Sequence, residues 1–539
     1  MNPLGFPILS ILIFLPAVGG LVVLVAGREA AVKTWTLVVS LAELLLAAAL
    51  LATLSGGTAE PQFVERAAWM PPLGIEYHLG VDGISALLVG LTALLTALAV
   101  GASWQAMDDR AKPYAASLLF LEAGVVGAFA ARDLVLFFVF WEVMLVPMYL
   151  LVGMCGGPRR IYAALKFFIY TTFGSLLMLV GIISLCLYHQ SQTGVYTFDL
   201  AELAKTRLPA DVQLWLFLAF ALAFAIKVPI FPLHTWIGDL YTQAPTAALV
   251  LATMMVKVGA YGFLRFNLPL FPEASVQLAP VLSALAVVGI LYGDMVAWAQ
   301  RDVVRLMAYS SVAHLGFVVL GIFALNGTGA SGAVLQMINH GLSAGAIFVI
   351  AAMISARVQS TDLDSLGGLA ARWPVLAGFF LVALFSAAGL PGLNGFVGEF
   401  LILLGAFRAE PAYAVLGALG VVVSAVYLLS MYRRAMNGQP GVAAQSTAGD
   451  VTIREALVLA PLALLIVWIG FFPTTVLGPL QASVDAQLPR AVAAAQPHLL
   501  TPSSLVERGQ VSEGAVATPS PLAERGQGVR SVLPQEVRR

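Results

Sequence analysis

Fourteen stretches of this sequence are apolar over the length needed to cross a lipid bilayer, and nothing else limits its possible folds so tightly. They run over about 4–27, 34–54, 82–103, 114–130, 133–153, 161–188, 212–237, 244–266, 276–299, 302–325, 331–355, 374–408 (interrupted), 411–432 and 455–473. A crossing helix needs about 20 mostly apolar residues. Inside hydrocarbon every backbone polar group must be satisfied by the protein, and a helix does this within one segment. The predicted fold is an all-α membrane protein of about 14 transmembrane helices. The first run is too long for a signal-peptide core and has no basic flank before it, so it reads as a retained helix.

Charge then sets the expected orientation. Only 11% of the residues are charged, against 60% hydrophobic, which removes the chain from the ordinary soluble class. Of the 22 Lys and Arg before residue 474, thirteen lie in or beside the loops after helices 1, 3, 5, 9, 11 and 13, Arg159, Arg160, Arg433 and Arg434 among them. Six lie in the other loops and three inside spans. Basic loops stay in the cytoplasm, so both termini are expected outside an inner (plasma) membrane. A net charge of −1 offers no footprint for nucleic acid. Cys155 and Cys186 form no CxxC or Cys/His cluster, and no glycine-rich dinucleotide loop opens a strand–helix unit. The residues therefore offer no ligand set for haem, an iron–sulfur centre or a nucleotide.

Two spans carry breaks. Pro229 and Pro232 in KVPIFPLH should free the carbonyls of Ala225 and Val228, and Gly389, Pro391, Gly392 and Gly395 should open the twelfth helix. Freed carbonyls are tolerated only inside protein or along a water-filled cavity, and paired breaks mark transport sites in many transporters. Pro229 and Pro391 are 162 residues apart, as are the expected starts of helices 4 and 9. Helices 4–8 and 9–13 thus read as two inverted five-helix repeats with broken helices 7 and 12. The expected divisions are 1–113 for helices 1–3, 114–266 and 267–434 for the repeats, 435–473 for the last helix, and 474–539 for a polar, disordered tail.

Ionisable residues inside these spans mark where function should reside. Glu122, Glu142, Lys166, Lys227, Lys257, His314, His340 and Glu399 all fall within apolar runs. Left uncompensated, Glu142, Lys227, Lys257 and Glu399 together would cost about 10–14 kcal/mol on an insertion scale. They are expected to face one another or internal water. Carboxylates, lysines whose charge can be switched, and histidines that exchange protons at either ring nitrogen are the parts of a proton relay. Lys166, near a membrane edge, is equally explained by snorkelling. Glu43, outside both repeats, reads as a helix-contacting residue, and Asp82 as the cap of the third helix.

The motifs GVDGIS (80–85), FWEVMLVPMYLL (140–151), RIYAALKFFIYT (160–171), KVPIFPLHTWIGDLYTQAPT (227–246), VKVGAYGFLRF (256–266), YSSVAHLGF (309–317), INHGLSAGAIF (338–348) and LPGLNGFVGEFLIL (390–403) stand in one order. In them the chain resembles the antiporter-like membrane subunits of respiratory complex I, NADH–quinone oxidoreductase, most closely the M-type. The resemblance implies that Glu142 and Lys227 act as a coupled pair, Lys257 as the central relay and Glu399 as the exit-side residue. His314 and His340 are then supporting groups, with Glu122 and Lys166 as further polar sites. Glutamate at 399 is an M-type feature, where the L-type and N-type relatives have lysine. The resemblance further implies proton translocation coupled to electron transfer elsewhere. The NADH, flavin, iron–sulfur and quinone sites would then lie in partner subunits, with no cofactor in this chain. Implied partners are the other membrane and peripheral-arm subunits, L-type and N-type included. The tail departs from the pattern. Rival expectations are a multi-chain Na⁺/H⁺ antiporter subunit or a ferredoxin- or hydrogenase-linked complex of the same ancestry.

Overall fold

The computed structural model describes residues 4–25, 29–107, 110–441 and 446–488. Thirteen of its helices are long and apolar enough to cross a membrane among the described residues. They are α1 (Ile8–Val25), α2 (Glu29–Thr53), α3 (Gly83–Ala102), α4 (Ala111–Ala130), α5 (Leu134–Cys155), α6 (Arg160–Thr193), α7a (Ala210–Lys227), α8 (Thr246–Leu270), α9 (Pro272–Trp298), α10 (Val303–Phe323), α11 (Gly327–Val358), α13 (Pro411–Met436) and α14 (Ile453–Phe471). A short helix α7b (Thr235–Gln243) continues α7a beyond the first break. The fourteenth crossing is itself broken into α12a (Pro374–Ala387) and α12b (Asn394–Ala409).

Both breaks fall where the Pro and Gly residues place them, and their hydrogen bonds match. At the first, Val228 N–H donates to Phe224 O (2.8 Å), Ile230 to Ala225 O (2.9 Å) and Leu233 to Ile230 O (2.6 Å). At the second, Ala388 donates to Leu384 O (2.8 Å), Leu390 to Phe385 O (3.0 Å) and Leu393 to Leu390 O (3.1 Å). Every member of the second set lies 160 residues after its counterpart. The repeat register is therefore 160 at the breaks, not the 162 obtained by matching Pro229 with Pro391. Pro229 stands opposite Gly389, whose φ is +71°. Proline ends a helix by lacking an N–H and glycine by entering the left-handed region, so the two can occupy one structural position. The carbonyl of Ala225 is also not left free as expected, because the wide turn to Ile230 satisfies it. Trp236 Nε1–H takes the neighbouring Ile226 carbonyl at 2.9 Å.

Packing follows the same two-fold scheme. In the first set α4 packs on α5 and α8, and α6 on α7a. In the second, α9 packs on α10 and α13, and α11 on both parts of α12. The sets meet where α8 lies against α11. Gly259 and Gly262 let α8 close on α7a. A Cβ on Gly259 would stand 3.0 Å from both Lys227 Cβ and Phe224 O, and one on Gly262 would strike the Phe224 ring at 2.5 Å.

Three features lie outside the sequence reading. An antiparallel hairpin, β1 (Gln62–Met70) and β2 (Ile75–Val81), precedes α3. A π-helical turn, Phe263–Asn267, interrupts α8 and carries the buried Arg265. Finally, the expected disordered tail begins instead with a helix, α15 (Thr474–Gln487), packed on α3 and α11. It buries Val476, Leu480 and Val484 on one face, and its Ser483 hydroxyl accepts the Gly83 N–H at 3.0 Å. That face is too short and too diluted by polar residues to register as an apolar run. The rest of the tail, 489–539, lies outside the described residues.

Candidate functional site

Lys257 lies in α8, the most enclosed of the crossing helices. No carboxylate pairs with it among the described residues. Its Nζ instead meets His340 Nδ1 of α11 at 2.6 Å. His340 faces His314 of α10, with ring centroids 5.8 Å apart. His314 Nδ1 lies 3.1 Å from Glu399 Oε1 on α12b. Gln336 Nε2 also donates to that oxygen at 3.2 Å. Lys257, His340, His314 and Glu399 are all buried, so the four form one enclosed line across four helices.

The partners of this line assign its tautomers. With the lysine charged, its N–H donates to His340 Nδ1, leaving the proton of that ring on Nε2. With Glu399 ionised, His314 Nδ1–H donates to the carboxylate and His314 Nε2 becomes an acceptor. The two Nε2 atoms are the ring nitrogens without protein partners. A cavity of about 10 Å³ is bordered by His314, His340, Gln336, Asn339, Ser343 and Ser386. That volume is at the lower limit for one water. One water bridging these two nitrogens would join donor to acceptor, and inverting both tautomers would then carry a proton from Lys257 to Glu399.

The break in α12 shapes the far end. A Cβ on Gly389 would stand 2.7 Å from Glu399 Oε2, so this glycine both turns the chain and leaves room for the carboxylate. Asn394, at the start of α12b, fixes the break from inside: its carbonyl accepts from Asn339 Nδ2 at 2.7 Å, and its side chain accepts from Ser386. Ser386 also contacts Ser343 at 2.5 Å. These polar residues were not singled out from the sequence. Gln336, Asn339, His340 and Ser343 lie at i, i+3, i+4 and i+7, one face of a helix, and that spacing was the available signal.

The other expected residues separate. Lys227 is buried without a hydrogen-bond partner, its ammonium 4.6 Å from the Trp141 ring centroid and 5.9 Å from that of Phe167. Glu142 Oε1 also has no partner. The Glu142–Lys227 pair is therefore open here: an aromatic face, worth about 2 kcal/mol when desolvated, stands in for the carboxylate. No hydrogen bond joins Lys227 to Lys257 among the described residues. Lys166 pairs with Asp239 of α7b at 2.7 Å and bonds the Thr235 carbonyl at 2.8 Å, away from the line. Glu122 turns to Glu43 of α2, and both are fully buried with none of their four oxygens in a hydrogen bond. Nearby Thr96 spends its hydroxyl proton on the Thr92 carbonyl at 3.0 Å. Two carboxylates so placed repel each other unless one of them carries a proton.

Residues 131–426 match the family described as NADH:quinone oxidoreductase/Mrp antiporter, transmembrane. The chain belongs to this family. It is 42% identical over 493 residues to NADH-quinone oxidoreductase subunit M of Pseudomonas aeruginosa, covering 88% of this chain and 96% of that one. To the subunit M of Escherichia coli it is 44% identical over 420 residues, 76% of this chain and 82% of the other. Among solved structures, a chain of respiratory complex I from Thermus thermophilus with bound NADH superposes with a TM-score of 0.81 at 33% identity, covering 89% and 99%. A chain of the Mrp complex from Dietzia sp., at 22% identity and a TM-score of 0.78 over 90% and 98%, shares the fold.

Proposed function

We propose that this chain is a proton-translocating membrane subunit of a complex I-type NADH–quinone oxidoreductase, with the electron-transfer groups in partner subunits. Membership of the family and the near full-length likeness to subunits of that name support it. The observation that carries the mechanism is the enclosed line Lys257–His340–His314–Glu399, joined by contacts of 2.6 and 3.1 Å and bordering one water-sized cavity. In this reading Glu142 and Lys227 load it. Closing the pair holds the proton on Lys227. Opening it, as in the present arrangement, moves the ammonium onto Trp141 and pushes the proton toward Lys257. Glu399 then accepts it by way of the two histidines. The L-type and N-type subunits are the neighbours this role requires, and both termini face outward.

Complexes carrying Glu142→Ala or Lys227→Ala test this in inverted membrane vesicles. The expected result is an assembled complex that has lost most NADH-driven proton uptake. Wild-type uptake in either would remove the loading role. A purified complex with hydrogenase or small antiporter subunits, and without NADH-site subunits, would replace the assignment.

A further inference from the structure

Asp294 lies four residues before the end of α9, is fully buried, and receives no hydrogen bond at either oxygen. It fills space left by Gly420 of α13, where a Cβ would stand 3.2 Å from Asp294 Oδ2. Tyr427, seven residues on and so on the same face of α13, brings its hydroxyl beside Asp294 and donates to Ser310 Oγ at 2.8 Å. Ser310 is one turn before His314 on α10. Three helices therefore extend the polar line from His314 to a second buried acid, and Glu399 is the other charge felt by Asp294 and Tyr427.

An ionised carboxylate without donors is costly in such a place. Tyr427 has one hydroxyl proton and two acceptors within reach, Ser310 and Asp294. We propose that Asp294 is a further proton-binding residue of this chain, exchanging its proton with the His314–Glu399 end of the line through Tyr427 and Ser310. The Asp294 O–H bond breaks as the Tyr427 oxygen gains that proton. Tyr427 gives its own proton to Ser310, and the Ser310 proton passes through one bridging water to the Nε2 of His314, one turn further along α10. The reverse order reloads Asp294. No oxidant or reductant is involved. The inference rests on reading the Lys257 line as a proton path.

The test uses the whole complex in inverted vesicles carrying Asp294→Asn, Asp294→Glu or Tyr427→Phe, with Lys257→Met as a reference. Proton uptake is measured across the neutral pH range, with infrared detection of a protonated buried carboxyl. Asp294→Asn should lower uptake, alter its pH profile and remove one carboxyl band. Asp294→Glu should restore all three, and Tyr427→Phe should reproduce the loss of uptake while keeping the band. Wild-type uptake and pH profile in Asp294→Asn overturn the proposal, as do unchanged values in Tyr427→Phe should Asp294→Asn not assemble. If Lys257→Met pumps normally, the main line fails. If Lys257→Met is dead and Asp294→Asn is normal, only the branch fails.

Discussion

At the residue scale, the buried charges are of two kinds, those of the proposed proton path and those that brace the fold. Asp82 is of the second kind. It caps α3 through a reciprocal box with Ser85, and its Oδ2 lies 2.6 Å from Arg265 and 3.7 Å from Arg132. Burial alone would raise its pKa, but the two guanidiniums outweigh that and hold it at about 2. Because the folded value is depressed, the stabilisation of about 2 kcal/mol is fully present above the usual carboxylate range and lost only as pH falls through about 2. Thermal unfolding of the purified complex should thus show no loss from this cluster between neutral and mildly acidic pH. Asp82→Asn leaves two buried guanidiniums uncompensated and should destabilise by about 3–5 kcal/mol, read as a lower unfolding temperature. Glu43→Gln should leave Glu122 a neutral partner and an assembled complex, with one protonated-carboxyl infrared band altered. An unchanged band would show that the two glutamates share no proton.

At the element scale, the breaks do the positioning. Gly389→Ala would strain a φ of +71° and crowd Glu399 Oε2, so proton uptake should fall at normal complex yield. Uptake equal to wild type would mean that the room left by this glycine is dispensable. The apolar runs, both breaks and the buried lysines were legible in the sequence because each violates or satisfies a local rule. The register of 160 was not, because proline and glycine end helices by different means and only the hydrogen bonds align them. Lys166 could not be resolved beforehand, since its partner Asp239 sits 73 residues away across the first break. The helix α15 was hidden by its brevity.

At the scale of the whole molecule, two broken five-helix sets meet at α8 and α11, and the enclosed line crosses that seam. The chemistry therefore depends on contacts far apart in sequence: Lys257 to His340, and His314 to Glu399, 85 residues on. Residue types pointed to a proton relay, but which groups meet came from packing. Glu142 and Lys227, expected as a coupled pair, stand apart here, with the ammonium over Trp141. Asp294 stood unnoticed beside a tyrosine on another helix. The proposed path runs through Lys257, so NADH-driven proton uptake relative to quinone reduction in inverted vesicles carrying the assembled Lys257→Met complex is decisive. Fewer protons should move per quinone reduced than in the wild type. An unchanged ratio at an unchanged rate would rule the path out.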